Sequence, residues 1–143
     1  MRAPVEDGTL SVRDGRATIV LKLRGGVIGR FGRGKLTVTD FDPVSGTVVV
    51  HGAERERDLN ERKTVYSGTN IRFRISDDRR VVVRIEGTKI NFSAVGRGDG
   101  SMDGYGDQEG VFFDGSFSLN GSPYRSIPDE RFRFDLVASP SAG

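Results

Sequence analysis

The chain has 143 residues, no cysteine, and 22 Lys plus Arg against 20 Asp plus Glu, for a formal charge of +2. These figures exclude a disulfide framework and a thiolate metal site or nucleophile, and so small a net charge does not by itself call for nucleic acid. The length fits one domain with no need of a covalent staple, and 20 glycines with little helix-forming sequence point to an all-β chain with many tight turns.

Residues 1–8 and 137–143 are small, polar and Pro-bearing, and read as loose tails around a single β domain over 9–136. MRAPVEDGTL carries no apolar stretch of signal-peptide length, and no apolar run reaches the length of a membrane span. The expected compartment is therefore the cytoplasm, with no membrane partner.

Within the domain, apolar residues alternate with polar ones. Leu10 and Val12 face one way, followed by Ala17, Ile19, Leu21 and Leu23, while Arg16, Thr18, Lys22 and Arg24 face the other. A two-residue turn at Asp14-Gly15 would set Val12 opposite Ala17 and Leu10 opposite Ile19. The segment from Arg24 to Lys35 places Arg24, Arg30, Arg33 and Lys35 around Phe31 in a glycine-rich connection. Cations with an aromatic could follow a single-stranded backbone and stack a base, which makes nucleic acid one candidate partner. Gly29 to Lys35 also spells a phosphate-loop pattern, but Leu36 stands where a magnesium-holding hydroxyl belongs and a strand follows instead of a helix.

Further strands are expected at 35–39, 47–51 and 64–66, with Ala53 to Arg62 (AERERDLNER) as a short polar turn or helix. Ile71, Phe73 and Ile75 alternate with Arg72 and Arg74, and Val81, Val83 and Ile85 alternate with Arg80, Arg84 and Glu86. A three-residue turn at Asp77-Asp78-Arg79 would pair Ile75 with Val81 and Phe73 with Val83, whereas a two-residue turn would put the apolar sets on opposite faces. Strands at 89–94, 111–119 and 131–136 complete the pattern. Phe132, Phe134 and Leu136 face inward in the last, and Asn120-Gly121 marks a hairpin.

Two runs are alike. Arg16 to Asp40 returns as Arg80 to Gly104, with Ala17 on Val81, Ile19 on Val83, Leu21 on Ile85 and Gly32-Arg33-Gly34 on Gly96-Arg97-Gly98 at a constant offset. The chain is thus expected to be a pseudo-duplicated antiparallel β-sandwich or closed barrel of about ten short strands, the copies spanning 10–40 and 71–104. In the second copy Arg30, Phe31 and Lys35 become Ala94, Val95 and Asp99 while Gly-Arg-Gly persists, so backbone geometry explains the shared residues better than binding does.

Chemically, Gly96 to Gly110 stands out. Asp99, Ser101, Asp103 and Asp107 occupy the first, third, fifth and ninth places of a calcium-loop template, Gly104 the sixth, and the Tyr105 carbonyl would supply the seventh. The twelfth place is Gly110, with Glu109 one residue early, and flanking helices are missing. Calcium is the one cofactor this stretch suggests; the alternative is a surface loop whose aspartates favour turns. His51 is the sole histidine, at the end of a valine run, and no Ser-His-Asp or metal-hydrolase grouping is visible.

TVYSGTNIRFRI (64–75) and INFSAVGRG (90–98) resemble uncharacterised Gly- and Arg-rich β proteins of high-GC bacteria, a resemblance that implies no activity. The first expectation is therefore a non-catalytic binding or structural module, with self-association through sheet edges or faces left open. The alternatives are a single-stranded nucleic-acid-binding barrel using 24–35, and a small-molecule-binding or enzymatic barrel.

Overall fold

The computed structural model describes residues 8–40, 47–60, 63–104, 115–128 and 130–136. Two very long strands dominate it: β1 (Gly8–Asp40) and β4 (Lys63–Gly104). Five short ones complete it: β2 (Thr47–His51), β3 (Arg55–Asn60), β5 (Ser116–Leu119), β6 (Arg125–Ser126) and β7 (Phe132–Leu136). All pairings are antiparallel, and the described residues include no helix, hence none long and apolar enough to cross a membrane.

β1 pairs with β4 along both of its edges. Ile85 lies between Ile19 and Leu36, and Ser93 lies between Ser11 and Ile28. A strand can meet the same partner on both sides only if the pair winds back over itself, and the register gives the winding. One layer runs β3, 63–70, 33–40, 81–88, 17–24, 97–104, β7, and the other runs β2, 71–77, 25–31, 89–95, 8–15, β5, β6. This is the double winding of a jelly roll. The layers end on β2, β3, β6 and β7, so the structure is an open sandwich and not a closed barrel.

Between the layers lies one core. Leu10, Val12, Val27, Phe31, Phe73, Ile75, Ile90 and Phe92 come from one layer, and Ile19, Leu21, Leu23, Leu36, Val81, Val83, Ile85, Met102, Phe134 and Leu136 from the other. Each such burial contributes roughly 1.5–3 kcal/mol relative to exposure. The inward sets expected at 17–23, 71–75, 81–85 and 132–136 are those observed, with Phe132 half-buried.

Three expectations about connectivity are corrected. Asp14-Gly15 is not a hairpin: Val12 pairs with Phe92 and Phe117, and Ala17 with Gly87 and Gly104, as β1 runs on. Residues 77–79 do not turn back either, since Ile75 pairs with Val27 and Val48, and Val81 with Leu23 and Asp40. The segment expected to be a polar turn or helix contains strand β3. What the turn residues supply is a change of face. Asp14, Asn70 and Lys89 have φ of 52°, 61° and 52°, and each sits where its strand leaves one layer for the other. The inserted left-handed residue inverts the alternation, so buried positions change from even (Leu10, Val12) to odd (Ala17, Ile19) and both stretches keep their apolar face inside.

The two similar runs pair with each other along their whole length, from Ala17 opposite Gly104 to Asp40 opposite Val81. Their shared Gly-Arg-Gly has a backbone reason. A Cβ on Gly34 (φ 154°) would strike the carbonyl oxygen of Glu86, and one on Gly98 (φ 157°) that of Lys22. Only glycine allows the adjacent strand so near.

Candidate functional site

Alternation gives each layer an outer face, and on the second layer that face is concave. Its groove has a volume of about 920 Å3. Two rows of residues cross its floor, fixed by the register. In one, Val49, Arg74, Ile28, Ser93 and Ser11 lie on successive strands; in the other, His51, Arg72, Arg30 and Asn91 do so, with Arg13 beyond them. Neighbouring strands are roughly 4.8 Å apart and alternate residues of one strand about 6.8 Å, so the guanidinium groups of Arg30, Arg72 and Arg74 emerge from adjacent positions. Arg30 and Arg72 are direct cross-strand partners, an arrangement of like charge that destabilises a sheet unless something neutralises it. Among the described residues, no ion pair to Arg30, Arg72 or Arg74 is found and none that lines the groove is Asp or Glu.

Apolar groups share the site. Ile28 is 59% exposed on the floor, Val49 38% exposed near the β2 edge, and Tyr124 41% exposed on the segment after β5. The Arg13 guanidinium lies over the Tyr124 ring, 4.2 Å from its centre, which holds both planar groups in one stack. Asn91 is committed to the backbone: its Oδ1 accepts from Asp14 N at 3.2 Å and its Nδ2 donates to Lys89 O at 3.1 Å, tying together two of the left-handed crossings. A second hollow, about 550 Å3, opens beside these crossings between Asp14, Asn70 and Lys89, and shares Arg30, Arg72 and Asn91 with the groove.

No known protein family, curated protein or solved structure matches this chain. The chemistry of the site therefore rests on its own geometry. Cations with forked donors, an exposed aliphatic floor and an aromatic at one end can hold an anion that also carries an apolar surface.

The residues singled out in the sequence are scattered by the fold. Of the basic set around Phe31, only Arg30 lines the groove; Arg24, Arg33 and Lys35 are exposed but lie outside it. Phe31 is 1% exposed, its ring 6.2 Å from that of Phe73 in the core, so it is no stacking platform. Asp99, Ser101 and Asp103 belong to β4: Asp99 lies between Lys22 and Asp135, Ser101 between Val20 and Arg133, and Asp103 opposite Thr18. Tyr105, Asp107 and Glu109 lie outside the described residues, and no group of three His, Asp or Glu able to hold a metal occurs among the described ones. His51 ends β2, exposed at the rim of the groove.

Sequence reasoning missed Arg13, Arg72, Arg74 and Tyr124 as members of one site. The outward placement of Arg72 and Arg74 was legible from alternation. That they share a face with Arg30 follows only from the winding.

Proposed function

We propose that this protein is a non-catalytic binding module that holds an anionic ligand on the concave outer face of its second layer. The observation that carries this reading is the cross-strand pair Arg30 and Arg72, with Arg74 and Arg13 nearby and no carboxylate among the described residues that line the groove. Such clustering costs stability in the free protein and is offset when an anion binds. The likeness of 17–40 to 81–104, and their pairing with each other, support a duplicated β unit as its origin.

Heparin, used as a generic polyanion at low salt, tests this reading. It is expected to raise the melting temperature, as any ligand of the native state must. The double variant Arg30→Glu, Arg72→Glu should lose the rise, while Lys22→Glu, Lys35→Glu on the other layer should keep it. No rise, or equal loss from both pairs, overturns the proposal.

A further inference from the structure

From the groove's chemistry we infer that the anion is a single-stranded nucleic acid lying across the strands. The inference rests on the anion-binding reading above and gives it a ligand class. Three observations lead there. First, the groove's permanent cations are arginines, while Lys22, Lys35 and Lys63 fall on the other layer and Lys89 lines only the adjoining hollow. A guanidinium grips a phosphate with two parallel N–H donors and also lies flat on a base, whereas an ammonium does only the first, as a point charge. Second, the exposed Ile28 lies between Arg74 and Ser93, and Tyr124 stands under Arg13 at the far end. Exposed apolar and aromatic surface interleaved with cations suits a chain of alternating phosphates and bases, whose π-faces stack on it. Third, the hollow beside the strand crossings shares Arg30, Arg72 and Asn91 with the groove and adds Lys89 beside Asp14, giving more cationic surface than a single small anion needs.

Apart from its arginines and His51, the same floor is poor in base-reading groups among the described residues. Asn91 has both side-chain atoms engaged by the backbone, which leaves the hydroxyls of Ser11 and Ser93 as its small polar groups. Binding should thus tolerate any sequence and follow the backbone and the stack.

Fluorescence anisotropy with a labelled oligo-dT of about 15 nucleotides, a duplex of equal length and heparin tests the inference. Oligo-dT is expected to bind at low salt with a log–log salt slope of about −3, as four phosphate contacts on a single strand give, and the duplex at least ~10-fold more weakly. Tyr124→Ala and Ile28→Ser, both at exposed positions, should each weaken oligo-dT by about tenfold, and by clearly more than they weaken heparin. If heparin binds through the arginines but oligo-dT does not, or if neither substitution affects oligo-dT, the nucleic-acid assignment falls and the anion reading stands. If none of the three probes binds, both fall.

Discussion

The two outer faces of the sandwich are built from the same kind of strand, yet they differ in electrostatic character. On the first layer, outward charges of both signs are mixed: Lys35 is opposite Glu86, Lys22 opposite Asp99, and Arg84 pairs with Glu86 along its own strand, while Arg24 is opposite Arg97 and Asp99 opposite Asp135. On the second, Arg72 is opposite Arg30 and His51, Arg74 is opposite Ile28 and Val49, and the described groove-lining residues include no acid. A face where cations and acids are mixed is a solvated surface that also blunts sheet association. A groove whose described lining holds arginines and no acid has positive charge for a partner. Arginine content alone separates nothing, and neither does a like-charge neighbour, since Arg24 faces Arg97 on the first layer; the presence or absence of acids beside the arginines does.

The largest effect that sharpens this contrast lies just below the groove. Phe31→Ala should cost about 3–5 kcal/mol because it empties a fully enclosed site between the layers, whereas Arg30→Ala beside it should stay within ~0.5 kcal/mol. Urea denaturation measures both, and comparable losses would mean that Arg30 serves the fold and not a ligand.

Next comes the clamp at the open end. Asn120, in the left-handed region at φ 52°, accepts from Thr9 N and donates through Nδ2 to Asp135 O, so it joins a strand of each layer. Asn120→Ala should cost about 1–3 kcal/mol from two lost hydrogen bonds and a strained backbone, read as a lowered melting temperature. Heparin affinity should be unaffected, since Asn120 does not line the groove.

Smaller still is the pH response of the β3 edge. Tyr66 titrates above its ordinary value of 10.0, chiefly because burial disfavours the phenolate, and further because Glu56 and Asp58 repel it and Glu56 hydrogen-bonds the phenol. A raised folded pKa keeps the proton on the native state longer than on the unfolded one. Its stabilisation is therefore complete below pH about 10 and is lost as the pH rises through the folded value. Tyr66→Phe should flatten the fall in stability above pH about 10; an unchanged slope would show that other groups govern it.

The smallest effect is expected on the mixed-charge face itself. Glu86→Gln, which breaks an ion pair with half-exposed Arg84, should change stability by no more than about 1 kcal/mol, and less in high salt. A larger loss would mean that pairing on this face supports the fold as well as solubility.

The sequence by itself determined which residues face inward. Alternation at 17–23, 71–75 and 81–85 requires it, because burying one apolar set per strand is the only arrangement that keeps the arginines wet. It also carried the reason for Gly-Arg-Gly, a close approach of backbone, without saying which strand approaches. Connectivity was not legible. Asp14-Gly15 is a good hairpin turn locally, but a left-handed residue can equally serve as a bulge in a continuing strand, and the long pairing of β1 with β4 favours the bulge. Neither was the site, because Arg13, Arg30, Arg72 and Arg74 come from two strands far apart in sequence, and which side chains stand beside them depends on the strands across the ladder. Those neighbours are chosen by the winding, so the alternation set the fold's inside and tertiary register alone decided which outward cations gather on one face.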